Sequence, residues 1–353
     1  MSDRLAKTLF ALVFLLWFSS VLQAQAPAWT AQHRLQAGLE HDSNVFESRR
    51  DPAAAAATRL AYHGKVRRAG ARWHWQALGS AVAQVYPQVS REDKWTGDAQ
   101  LRASWLPRPR WLVQVGYAGF LKMYFNSNLD FAHLTSDVRL QRALTQRSYA
   151  ALVWESTRLD YRHFDRFDFT ARRVGVVAGG RLRDGWFTEL ALSRRAVQYL
   201  RPATRIGPAG EVVYQPFRQK DRQWIVRWQL SARQRLFWQA SVEWLRNRSN
   251  SFGYSQDRLR GSLIIAWPLN THLLARVALL FQYYRYHEPI LPAFPIELDV
   301  ERTESNFLVA DLSHNLTDHT NLLLRLAWYN NESAIRGLFY QKVLLFAGLE
   351  RRF

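Results

Sequence analysis

The chain has no cysteine, 29 acidic residues against 48 basic ones, and only 17 glycines in 353 residues. The absence of cysteine excludes disulfides, thiolate metal sites, a cysteine nucleophile and an N-terminal lipidated cysteine. No window after the N-terminal stretch holds about 18 consecutive apolar residues, the length a spanning helix needs. Any insertion into a membrane must therefore use strands, because only helices and closed barrels satisfy every backbone group in hydrocarbon. The shortage of acid leaves a formal net charge of +19. A balance this basic ordinarily points to nucleic acid. Here the Lys and Arg are spread singly rather than clustered, so nucleic acid is set aside. Lipopolysaccharide, phosphate-rich lipid headgroups or an anionic solute are the expected partners.

Aromatic residues, by contrast, are abundant: 15 Trp, 14 Tyr and 20 Phe. Mean hydropathy is nevertheless −0.29, too polar for a helical membrane bundle. The combination suits a chain with one greasy face and one polar face. The N-terminus reads as a secretory leader: Arg4 and Lys7, then the apolar run Thr8–Phe18, then the small and polar Ser19–Ala26. Ala24-Gln25-Ala26 fits a small-x-small cleavage pattern; Pro27 disfavours that cut, so cleavage after Ala24 is the alternative. The expected organisation is a signal peptide over 1–26 and one barrel domain over 27–353.

The dominant period of the remaining chain is two, as in Arg258-Leu259-Arg260-Gly261-Ser262-Leu263 and in Gln223–Leu230. Sixteen strands follow, at 32–46, 57–69, 71–87, 94–106, 111–125, 131–144, 147–164, 169–183, 186–200, 219–233, 236–248, 255–268, 272–287, 301–316, 319–332 and 337–353. Each is long enough to cross a bilayer at a tilt. Short connections, such as Ala69-Gly70, Pro107–Arg110, Asp184-Gly185 and Thr317-Asp318, alternate with longer ones. Strict alternation of tight periplasmic turns and longer outer loops predicts an all-β, antiparallel, up-and-down transmembrane barrel with both termini in the periplasm. The longest loops, 201–218 and 288–300, are rich in proline; an ordered outer loop is expected, and one of them folded into the lumen as a plug is the alternative.

The chain ends in Phe339-Tyr340-Gln341-Lys342-Val343-Leu344-Leu345-Phe346-Ala347-Gly348-Leu349-Glu350-Arg351-Arg352-Phe353. This alternating strand with a terminal Phe resembles the C-terminal signal of Gram-negative outer-membrane β-barrel proteins. The resemblance implies recognition by the barrel-assembly machinery, with Tyr340, Leu349 and Phe353 in the signal. The opening segment Gly38–Phe46 is also similar to the barrel part of surface-lipoprotein assembly modifiers, although the helical repeats of that family are absent. Porins of this strand count are often trimers, which leaves a homo-oligomer open.

With Phe353 toward lipid, Leu349, Leu345 and Val343 also face lipid, whereas Lys342, Gly348, Glu350 and Arg352 face the lumen. Extended to every strand, the rule puts Arg102, Arg139, Arg173, Arg181, Arg183, Arg227, Arg258, Arg260, Arg276 and Arg325 inside. It is a sharp rule, since an arginine in hydrocarbon costs about 2–4 kcal/mol near the midplane. Trp73, Trp75, Trp105, Trp111, Trp186, Trp238 and Trp267 are expected in a periplasmic aromatic girdle. Tyr86, Tyr124, Tyr161, Tyr199, Tyr286 and Trp328 are expected in an outer one.

Sixteen strands leave room for water, and a basic wall favours anions. The expected function is a porin-like channel for anions or an anionic solute or glycan. Apart from Arg183, which lies at a turn, the inner arginines named above are its selectivity candidates. Against this stands neutralisation by Glu155, Glu189, Glu243, Asp137 and Asp311. The alternative function is a non-conducting barrel serving as a binding or assembly and secretion scaffold. An enzyme is not expected: the His-x-Ser-Asn of outer-membrane phospholipases is missing, as are cofactor motifs. Asp160, His163, Asp165 and Asp168 form an omptin-like rim only in composition. His41 with Asp42 and His287 with Glu288 lack metal-ligand company, and Glu297, Asp299, Glu301 and Glu304 read as dispersed loop charge.

Overall fold

The computed structural model describes residues 29–48, 51–128, 130–288, 306–331 and 340–353. The leader, Phe339, the loops 289–300 and 333–336, and the acidic set Glu297, Asp299, Glu301 and Glu304 lie outside them.

Sixteen antiparallel strands follow one another round a closed barrel. They are β1 (Trp29–Asp42), β2 (Ala55–Ala69), β3 (Trp73–Val85), β4 (Lys94–Trp105), β5 (Trp111–Tyr124), β6 (Phe131–Ala143), β7 (Ser148–Tyr161) and β8 (Phe169–Arg183). They continue with β9 (Trp186–Ile206), β10 (Val212–Arg233), β11 (Phe237–Ser249), β12 (Gln256–Pro268), β13 (Leu273–Tyr286), β14 (Asn306–Asn315), β15 (Thr320–Asn331) and β16 (Tyr340–Arg352). All sixteen segments expected from the period are strands. The last pairs with the first, Gly38 opposite Gly348 and Gln36 opposite Glu350. Closure leaves no strand edge unpaired, as lipid demands.

Closure is held from both ends of the seam. Gln36 donates to Glu350 at 2.8 Å, and Asn321 donates to the other oxygen of the same carboxylate at 3.0 Å. Toward the outer end, the Lys342 ammonium lies 2.8 Å from Asp42 and 3.1 Å from Glu47, while Tyr340 donates to Glu47 at 2.9 Å. Between them the strands approach closely. A Cβ on Gly38 would fall 2.3 Å from the Ala347 carbonyl oxygen and 2.7 Å from the Phe346 ring, which covers both glycines.

The register extends the face rule without a break over almost the whole wall. Leu35, Leu140, Trp228, Leu279, Leu324 and Leu326 are exposed on the outside; Glu40, Asn247, Gln282 and Glu350 are buried inside. An apolar outer surface over a polar interior is the inverse of a soluble barrel, and it places this molecule in the bacterial outer membrane. The periplasmic tryptophans stand outside as expected. Trp73 stacks on Trp105 at 5.3 Å, and Trp186 meets Trp238 edge-on at 5.3 Å. At that end a bulge between Arg181 and Arg183 breaks the alternation. Arg183 consequently pairs with Trp186 and lies 4.3 Å over its ring, so it leaves the inner face assigned to it.

Two further expectations change. The loop expected at 201–218 is a hairpin: β9 and β10 run on past their neighbours to a turn at 207–211. Thr204 ties it to Ser251 in the next outer loop, through a backbone N–H bond of 2.9 Å and a hydroxyl contact of 2.7 Å. Its two strands stay paired, with bulges near Arg218, so the segment is an ordered hairpin tied to its outer neighbour and not an irregular loop. Nor do the outer tyrosines make a lipid-facing girdle. Tyr86, Tyr124 and Tyr161 are almost wholly buried, and by register Tyr199 and Tyr286 also face inward; only Trp328 faces out as expected. Their position along the strand suggested an interface, but their parity places them with Gln84, Lys122, Glu155, Glu189 and Gln282.

These tyrosines mark a repeated construction at the outer ends. The backbone N–H of Tyr86 donates to Asp93 at 2.6 Å, that of Tyr124 to Asp130 at 2.7 Å, and that of Tyr161 to Asp168 at 2.6 Å. Gln282 donates likewise to Asn306 at 2.6 Å, and Lys220 to Asn250 at 2.7 Å. In the first four the acceptor ends an outer connection and closes the mouth of that hairpin where the backbone ladder ends, whereas Asn250, in the β11–β12 connection, ties β10 to β11.

Candidate functional site

The candidate site is the inner wall. A strand gives one face to every second residue, so a lumen residue on each strand is fixed by parity alone. All nine candidate arginines stand on that face, and the structure divides them by partner.

Five are paired with carboxylates. Arg139 lies 3.1 Å from Glu189, Arg173 2.5 Å from Glu155 and Arg258 2.8 Å from Glu243. Asp311 takes two partners at once, Arg276 and Arg325, each at 2.6 Å. Register explains most of these contacts: Glu155 is opposite Arg173, Asp311 is opposite both Arg276 and Arg325, and Glu243 is one step from Arg258. Arg139 reaches farther, to a carboxylate that Tyr149 also holds by its hydroxyl, with the guanidinium 5.2 Å from the tyrosine ring centre. Asp137, the remaining expected partner, makes no ion pair among the described residues and lies across Gly116, where no side chain displaces it.

Arg102, Arg181 and Arg227 differ. All three are exposed, and none lies within ion-pair distance of a carboxylate among the described residues. Arg102 is opposite Gly116 and Gln76, Arg181 is opposite Phe187, and Arg227 donates to Gln229 at 3.2 Å. Arg260 shares its face with Arg258 and is opposite Glu243. The wall therefore contains arginines whose charge is spent on a neighbour and others whose charge is presented to water.

The rest of the wall mixes hydrogen-bonding groups with further charges, among them cations that the candidate set had omitted. Lys94 lies 5.7 Å from both the Tyr86 and Tyr124 rings, and Lys122 lies 4.9 Å from Tyr124. Arg195 is 5.9 Å over Phe169, and Arg201 is 4.6 Å from both Tyr199 and Tyr254. Cations and aromatic rings thus line the outer mouth together, around an apolar cluster of Phe131, Leu159, Tyr161, Phe169 and Val197. The parity of Lys94, Arg195 and Arg201 was legible in the sequence; their ring partners were not, because they lie on other strands.

Outside the strands, burial acts to raise the Glu47 carboxyl, but the Lys342 ammonium and the Tyr340 hydroxyl outweigh it and hold the group below its ordinary range. Burial pushes the Asp168 carboxyl up, against the lowering effect of the Tyr161 N–H. Asp168 is thereby accounted for as a hairpin closure, and Asp160 pairs with Arg158 at 2.6 Å. Asp160 and Asp165 lie close enough to Asp168 to push its carboxyl up further, so three members of the rim set stand near one another. His287 pairs with Asp257 at 3.1 Å, and Asp42 with Lys342. Among the described residues no three His, Asp or Glu side chains are grouped to hold a metal.

At the C-terminus, Leu349 and Phe353 are exposed on the outer face, with Arg351 5.6 Å from the Phe353 ring. Tyr340 is buried inside.

No family model matches the chain, and no curated protein does. Among solved structures, the toluene transporter TodX of P. putida is similar at 9% identity, with 93% of this chain and 90% of that one covered and a TM-score of 0.39. OccAB2 of Acinetobacter baumannii is similar at 7% identity, 92% and 98% coverage and a TM-score of 0.45. OccK1 of Pseudomonas aeruginosa is similar at 8% identity, 92% and 99% coverage and a TM-score of 0.46. Likeness at this level says nothing of solute or mechanism.

Proposed function

We propose that this barrel is a porin-like outer-membrane channel that favours anions or an anionic solute such as a charged glycan. The observation that supports it most directly is the asymmetry of the inner wall. Glu155, Glu189, Glu243 and Asp311 are each engaged by arginine, while Arg102, Arg181 and Arg227 present charge to the lumen with no carboxylate within ion-pair distance among the described residues; Glu243, opposite Arg227, is held by Arg258 instead. Sixteen strands enclose enough space for an aqueous path. An anion on that path meets guanidinium groups that are weakly hydrated and suited to carboxylate or phosphate. A cation meets four carboxylates already neutralised, with Asp137 the one expected partner left without an ion pair among the described residues. In this reading the leader over 1–26 directs export, and the last strand with Leu349 and Phe353 directs barrel assembly.

The test is single-channel recording of the refolded protein in a planar bilayer under a salt gradient. Stable conductance steps with a reversal potential on the anion side support the channel. Arg102→Gln, Arg181→Gln and Arg227→Gln together should move that potential toward zero while the steps persist. A folded barrel without conductance would refute the channel, and an unshifted potential in the triple variant would refute the role of these three residues.

A further inference from the structure

The outer surface of the barrel carries its charge on one side. Followed along the register, the outward face of β7 to β13 holds two neighbouring rows. One runs Ser156, Arg172, Ala196, Arg222, Arg248; the other runs Trp154, Val174, Arg194, Trp224, Arg246, Asp257, Arg285. Arg158 stands one step farther out on β7.

Three observations indicate a ligand rather than a solvated rim. The first is local. Arg222 and Arg248 are directly opposite one another on the same exposed face. Like charges opposed in this way destabilise a sheet. Among the described residues no carboxylate reaches Arg172, Arg222, Arg248 or Arg285; the two acids of the patch are occupied, Asp160 by Arg158 at 2.6 Å and Asp257 by Arg246 at 3.8 Å and His287 at 3.1 Å.

The second is depth. Arg194 is eight residues along β9 from Trp186 of the periplasmic girdle. At about 3.3 Å per residue that is roughly 26 Å of strand, or about 20 Å of height at the usual tilt. Leu190, Leu192, Trp228, Val242, Trp244 and Leu259 fill the interval. The arginine rows therefore sit at the upper margin of an apolar band of the customary height, level with the headgroups of the outer leaflet.

The third is confinement. On β1 to β6 the outward face carries Arg or Lys only at Arg68 and Arg142, both at the periplasmic end, over Trp29 and Trp111. The outer half of that face, from Leu39 and Leu60 through Trp95 and Leu134, is uncharged.

We infer that the exterior of β8 to β13 binds the phosphorylated glycolipid of the outer leaflet, with Arg172, Arg222, Arg248 and Arg285 as the principal phosphate ligands. The acyl chains lie on the apolar band below. Guanidinium groups pair with phosphate through two parallel hydrogen bonds, and bound phosphate relieves the repulsion between Arg222 and Arg248.

Native mass spectrometry of the full refolded chain in detergent tests this, with hexa-acylated lipid A bearing two, one or no phosphates as the probe. Affinity should fall with each phosphate removed, and millimolar inorganic phosphate alone should not displace the lipid. Arg172→Gln, Arg222→Gln, Arg248→Gln and Arg285→Gln combined should weaken binding at least tenfold. Arg68→Gln with Arg142→Gln should not. Heat-modifiable gel mobility verifies folding; should the fourfold variant fail it, Arg222→Gln with Arg248→Gln is measured in its place. Equal affinity for the phosphate-free lipid, or unweakened binding in a folded variant, overturns the inference. So does displacement by inorganic phosphate alone, which would make the patch a general anion site.

Discussion

Replacing Asp168 by alanine separates a hydrogen-bonding role from mere loop charge. The carboxylate accepts the Tyr161 N–H at 2.6 Å, and Tyr161 is almost fully buried. Alanine leaves that donor with no partner, at about 1–3 kcal/mol. Asp93 and Asp130 close their hairpins in the same way without sharing a partner, so the triple alanine variant should lose about 3–9 kcal/mol. Asparagine is the decisive control. Asn306 and Asn250 already serve as neutral acceptors for Gln282 and Lys220. Burial also raises the Asp168 carboxyl, which means that its charge is a burden in the folded state. Asp168→Asn should therefore stay within about 0.5 kcal/mol of the parent. Urea unfolding in lipid vesicles, followed by tryptophan fluorescence, reads both variants. If asparagine costs as much as alanine, the acceptor bond is not what holds the hairpin.

Asp311→Asn releases Arg276 and Arg325 together. Because both guanidinium groups are partly solvated, stability should fall by only about 1–2 kcal/mol, while the reversal potential moves farther to the anion side in the bilayer recording. Gly38→Ala places a methyl against the Ala347 carbonyl and the Phe346 ring, so the closing pair of strands must part; about 1–3 kcal/mol of stability and a slower appearance of the heat-modifiable form are expected. Acidification acts on Glu47. Its folded pKa is depressed, so its tie to Lys342 and Tyr340 contributes fully above the ordinary carboxylate value of 4.5 and is lost as pH falls through the lower folded value. Amide exchange of residues 43–48 should accelerate only in that acid window, and Glu47→Gln should abolish the pH dependence.

The strands and their faces were readable because a wrong face would place arginine in hydrocarbon, a penalty that a sequence with this many arginines cannot hide. Arg183 escaped because a bulge shifts parity by one residue, and the bulge leaves no mark in composition. The tyrosines Tyr86, Tyr124 and Tyr161 were misplaced for a different reason. Their nearness to strand ends was weighed above their parity, although parity already grouped them with Gln84, Lys122 and Glu155. The nine arginines were likewise legible as lumen residues. Which of them are neutralised was not, since Arg139 meets Glu189 across 50 positions and Gln36 meets Glu350 across 314. The outer arginine rows lay in plain view in the alternation, but they form a patch only once the register aligns seven strands.

The β9–β10 hairpin has a consequence for how the cell is seen from outside. Past Leu200, which still bonds to the Asp168 carbonyl, six residues of β9 rise to Ile206. At about 3.3 Å each they make a mast roughly 20 Å long. Its tip, Gly210, has φ +81° and nothing within 4 Å of the place a side chain would occupy. A phage, an antibody or a protease approaching the surface would meet this tip before the pore. A short epitope or fluorophore inserted there would report on the living cell without touching the wall below.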